Sequence, residues 1–104
     1  MGGHAAWLAS RVPVAPPALV RCVQETFAAH PEWEGLDRTA ALVEAAGALR
    51  DAVLRGAPAS RDSALLLLAA DTCVTYAFEA AADAPATLVA RARQAERQLA
   101  RFDE

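Results

Sequence analysis

Residues 64–82 read A-L-L-L-L-A-A-D-T-C-V-T-Y-A-F-E-A-A-A and form the most apolar stretch of the chain. Wound as an α-helix, this stretch gathers its polar residues, Asp71, Thr72, Thr75 and Glu79, on one narrow stripe. The pattern predicts a helix covered by neighbours on most of its circumference, and makes it the expected centre of the fold. Asp71 and Glu79 would each cost about 2.5 kcal/mol or more near a bilayer centre. A core helix is therefore expected here, not a membrane span.

Composition supports the same class. The chain has 104 residues, the size of one domain, and 28 of them are alanine. Alanine is the strongest helix former and packs with little bulk, so closely approaching helices are favoured over a large aromatic core. β-branched residues are few, Ile is absent, and no alternating apolar run stands out. The chain also lacks Lys and Asn, and all 10 basic residues are Arg. Those missing residue types have A/T-rich codons, so the bias reads as a GC-rich, bacterial coding sequence before it reads as phosphate binding.

Outward from the central stretch, turn and cap residues divide the chain. Gly56 and Pro58 precede it, and Ser60 stands as its N-cap, giving a helix over about 61–82. Asp37 is placed to cap a helix over about 37–55, in which Leu42, Ala46, Leu49 and Val53 recur at four-three spacing. Pro17 starts a helix over about 17–29, with Leu19, Val23 and Phe27 on one side and His30 and Pro31 at its end. Trp33, in the connection that follows, is expected to act as a lid on the core. Asp83 and Pro85 mark a turn before a helix over about 85–102, with Leu88, Ala92, Ala95, Leu99 and Phe102 as its seam. Four helices with short connections predict an all-α, up-down antiparallel four-helix bundle. Residues 1–15 are expected to be a short helical or extended appendage, with Trp7 packed onto the bundle. No second domain or internal repeat is evident.

The polar stripe of 64–82 and the arginines of the last segment are the two features that invite a functional reading. Asp71 and Glu79 lie eight residues apart, about 12 Å along a helix, too far for a shared metal or an acid–base pair. Arg93, Arg97 and Arg101 share one helical face, a possible grip for an acidic partner or nucleic acid. Against nucleic acid stand a net charge of −3 and the lack of interleaved aromatics. A hairpin of the last two helices sets Asp71 against Arg97, Thr75 against Arg93, and Glu79 within a turn of Arg93. The two stripes are thus expected to pair with each other.

Residues 69–81, A-A-D-T-C-V-T-Y-A-F-E-A-A, resemble a helix of the all-α polyprenyl diphosphate synthases, in which a Gly-Asp pair precedes an apolar helix carrying Ala-Phe-Glu. The resemblance covers about an eighth of the chain. Ala70 replaces the glycine, and both aspartate-rich metal motifs of that family are missing, so diphosphate chemistry is not implied.

No catalytic constellation is visible. His4 and His30 lack metal-ligand partners at helical spacing, no serine sits in a Gly-x-Ser-x-Gly frame, and no phosphate-binding glycine loop occurs. Cys22 and Cys73 are expected to be buried free thiols, and neither a secretory signal nor a cofactor is expected. The expectation is a small non-enzymatic cytoplasmic protein acting through protein–protein contact, with a homodimer as the favoured form. A small-molecule pocket among Phe27, Cys73, Tyr76 and Trp33, or an acidic partner on the arginine face, is the alternative.

Overall fold

Five helices and one 3-10 turn follow one another through residues 3–11, 14–56, 61–83 and 88–102, the residues described by this computed structural model. They are α1 (Gly3–Ala9), α2 (Pro17–Ala28), the turn Pro31–Gly35, α3 (Arg38–Arg55), α4 (Arg61–Ala82) and α5 (Leu88–Arg101). No strand occurs among the described residues, and the all-α class holds. The positions proposed for the Ser60 cap and the Pro85 start lie outside them.

The local signals act as the residue chemistry dictates. Pro17 occupies the first turn of α2, where its missing N–H has no intrahelical acceptor to lose. Asp37 caps α3, its Oδ1 accepting from the Ala40 N–H at 2.8 Å. At the other end of α3, Gly56 has φ −85°, outside the left-handed region, and its N–H donates to the Ala52 and Val53 carbonyls. Any residue could adopt that backbone.

Two expectations about architecture are corrected. The N-terminal segment is part of the core, not an appendage to it. Leu8 and Ala5 of α1 are fully buried, and His4 is clamped by its Nε2–H donating to the Leu36 carbonyl at 3.0 Å. Second, the enclosed helix is α3 rather than α4. Five consecutive residues, Thr39 to Val43, are buried, more than a full helical turn, so no side of that part of α3 faces water. Ala40, Ala41, Ala45, Ala46 and Gly47 make this possible, because small side chains let helices approach from several directions. α4 packs along one side of α3, α5 lies mainly on another, and α2 reaches both α3 and α4. The bulky Leu, Tyr and Phe residues of α4 cannot be surrounded at such short range. α4 is accordingly buried on one face only, through Ala69, Ala70, Cys73, Tyr76, Ala77 and Ala81.

The C-terminal end of α5 tests this close packing. A Cβ added at Gly47 would run into the Phe102 ring, which sits directly on the glycine. Gly47→Ala is expected to push Phe102 off α3, outweighing the gain of about 1 kcal/mol in helix propensity with an overpacking cost of about 1–3 kcal/mol. With Phe102→Ala already present, the same change is expected to stabilise. Denaturant unfolding of the four proteins in this cycle reads the change of sign.

Candidate interaction surface on α4

With its inner face held by α2 and α3, α4 turns Ala64, Leu67, Leu68, Asp71, Thr75, Phe78 and Ala82 outward. These positions recur every three or four residues and form a single stripe along the helix. Leu67 and Leu68 are each 56% exposed and Phe78 57%. Isolated exposed leucines are ordinary, but three large apolar groups on one helical face are not. Their periodicity is visible in the sequence; their exposure is not, because an all-round apolar helix reads as a covered one. The hydroxyls on this face are turned inward to the helix itself: Thr75 Oγ1 donates to the Asp71 carbonyl at 3.0 Å, and Thr72 Oγ1 to the Leu68 carbonyl at 2.8 Å. By length and composition α4 is also long and apolar enough to cross a membrane, the one such helix among the described residues.

The expected ion ladder between α4 and α5 does not form. Glu79 pairs with Arg11, whose Nη2 lies 2.8 Å and Nε 3.3 Å from the same carboxylate oxygen. Arg101 pairs with Glu44 of α3 at 2.6 Å. Asp71, Arg93 and Arg97 are exposed and make no ion pair among the described residues. The cause is the placement of α5 on α3: its Gln98 side chain donates to the Ala40 carbonyl at 3.3 Å, and its Arg101 reaches α3 rather than α4. The arginine face therefore divides, with Arg101 engaged within the fold and Arg93 and Arg97 facing solvent.

The four residues expected to line a pocket or core are all buried, at 0–9% exposure, but in two places. Phe27 and Trp33 meet edge to face at 5.5 Å, with His30 stacked on the indole of Trp33 at 4.0 Å. Tyr76 and Trp7 meet edge to face at 6.2 Å, and the Arg11 and Arg38 guanidiniums lie over the Trp7 ring at 4.8 and 5.0 Å. That second cluster joins α1, α3 and α4, and the i, i+4 spacing of Trp7 and Arg11 was its sequence signal. Cys73 lies buried on the inner face of α4, its thiol pushed up to about 12 by loss of hydration. A nucleophilic role at neutral pH is thereby disfavoured.

Two surface clefts lie among the described residues. One of about 420 Å³ is bordered by Ala5, Gln24, Glu25, Phe27, Pro31 and Glu34, and thus by Phe27 but neither Tyr76 nor a tryptophan. Another of about 310 Å³ lies between α2 and α4, with Arg21, Cys22, Glu25, Asp62 and Leu66 on its walls. No group of three His, Cys, Asp or Glu able to hold a metal occurs among the described residues. No protein-family model, curated protein or solved structure matches the chain.

Proposed function

We propose that this is a non-enzymatic interaction protein whose contact surface is the outer face of α4. The observation that carries the reading is the exposure of Leu67, Leu68 and Phe78 on one stripe. Burying each such side chain is worth about 1.5–3 kcal/mol, enough for three of them to drive association. Four helices, α2 to α5, then form an up-down bundle with α1 folded against its side. Two free thiols suit a reducing compartment, and a bacterial cytoplasm is the setting we assign.

The experiment follows the chain in extracts of its own cells by native gel or gel filtration. Tagged wild-type protein is expected well above its 10.9 kDa mass, and the Leu68→Ser/Phe78→Ser variant at the monomer position with unchanged helicity. Wild type and variant both running as monomers would overturn the reading.

The 420 Å³ cleft beside Phe27 favours a second reading, a small-molecule-binding bundle, since pockets for small ligands begin at about 300 Å³. Glu25 and Glu34 on its rim select for a cationic or hydrogen-bond-donating ligand. An acidic partner on Arg93 and Arg97 ranks below both, because Arg101, the third member of that face, is held by Glu44.

A further inference from the structure

The outer stripe of α4 has an internal symmetry that identifies its occupant. We infer that the occupant is α4 of a second copy, packed antiparallel about a two-fold axis at the level of Cys73. This rests on the reading of α4 as a contact surface, and adds what covers it and in which register.

A two-fold interface must be self-complementary: if one position meets another across the axis, the converse contact forms as well. Reversing α4 about residue 73 carries Ala64 onto Ala82, Leu68 onto Phe78, and Asp71 onto Thr75. All six are outward-facing. They are six of the seven outward positions; the seventh, Leu67, is carried onto Glu79, which Arg11 holds. Leucine meets a phenyl ring, and small residues meet at both ends, where helices can approach to about 8–10 Å. The stripe's one charge, Asp71, meets the uncharged Thr75 rather than another carboxylate. In that register the two Asp71 carboxylates are offset by about 6 Å along the axis, not opposed.

Other registers are worse for electrostatic reasons. Sliding one helix by a turn in one direction sets Asp71 directly against its own copy. Sliding it a turn the other way sets Asp71 against Glu79. A parallel pairing again opposes the two Asp71 side chains. Like charges placed together are unfavourable wherever an apolar contact excludes water around them. Of these arrangements, the one centred on Cys73 avoids this and joins Leu68 to Phe78. The stripe spans about 27 Å, so a single helix pair lies at the small end of interface sizes. The dimer is therefore concentration-dependent.

Sedimentation equilibrium of the purified full chain, from about 5 to about 500 µM, tests this directly. The mass is expected to rise toward twice 10.9 kDa, and Leu68→Glu or Phe78→Glu to hold it at the monomer with wild-type helicity. The register has its own test. Thr75→Asp places a carboxylate against Asp71 of the other copy and is expected to abolish the dimer. Asp71→Arg/Thr75→Asp sets opposite charges across the axis and is expected to restore it. A strict monomer at every concentration overturns the second copy, while a larger complex in cell extracts would leave the interaction reading standing. A dimer indifferent to Leu68→Glu and Phe78→Glu overturns the face, and failure of the double variant to restore the dimer overturns the register. Flotation of the monomer with phosphatidylcholine–phosphatidylglycerol vesicles, lost in Phe78→Glu, would overturn the proposal in favour of a lipid surface.

Discussion

Phe27→Ala is expected to destabilise the protein by about 3–5 kcal/mol and to lower its melting midpoint by about 15–25 °C. The ring is 3% exposed at the point where α1, α2 and the 3-10 turn meet. It contacts Trp33 edge to face at 5.5 Å and the His4 ring at 6.0 Å. Edge-to-face aromatic contacts add about 0.5–1.5 kcal/mol beyond the area they bury. The vacated space cannot close easily, because His4 is tethered to the Leu36 carbonyl and Trp33 is stacked on His30. Total stability of a domain this size is about 5–15 kcal/mol, so one side chain holds a large share of it. Phe27→Leu, which keeps most of the volume, is expected to lose only about 1–1.5 kcal/mol. Guanidinium unfolding followed by the fluorescence of the two tryptophans measures both. A loss below about 1 kcal/mol for the alanine variant would mean that α1 and the turn do not depend on this ring.

Local chemistry made the helices readable. Asp37 followed by a run of small and apolar residues predicts a capped helix, and Pro17 and the Pro31 break predict the limits of α2, because these signals act within one turn. The centre of the fold was not readable in the same way. Residues 64–82 carry the greatest apolar mass, which suggests the most enclosed position. Enclosure in fact goes to α3, whose alanines and Gly47 allow close approach on several sides. Bulk draws a helix to the core on one face; smallness lets it be surrounded.

The candidate surface was hidden for a related reason. A periodic pattern reports which residues share a face but not which partner covers it. Glu79 was read as a paired charge but with the wrong partner, and Arg101, offered to an outside partner, is taken by Glu44. Arg11 lies 68 residues from Glu79, and Glu44 lies 57 from Arg101, and no spacing rule links residues so far apart. With Arg101 held by Glu44 and Gln98 donating to the Ala40 carbonyl, α5 is anchored on α3, and Asp71 and Arg97 do not meet. Leu67, Leu68 and Phe78 are left exposed as a consequence of where α5 docks, which is a property of α3.

Cys73 yields the second large effect, read through pH. Its thiol is fully buried, and loss of hydration, with a smaller contribution from Cys22, pushes it up to about 12. In the unfolded chain the thiol ionises near 8.5. The folded state thus holds the proton more tightly, and the unfolded state sheds it first as pH rises. Stability linked to this group is fully present below about pH 8.5 and is lost between there and about 12, at roughly 1 kcal/mol per pH unit. Cys73→Ala removes the titration and leaves a small cavity, so at pH 7.5 the variant is expected to be about 1 kcal/mol less stable than wild type. By about pH 10.5 the order is expected to reverse, because wild type alone carries the linked loss. Thiol labelling supplies an independent reading of the same burial: at pH 8 and without denaturant, Cys73 is expected to react about a thousandfold more slowly than in the unfolded chain. A stability difference between wild type and Cys73→Ala that stays constant from pH 7.5 to 10.5 would show that the thiol exchanges its proton freely in the folded state, and that the inner face of α4 is open to water.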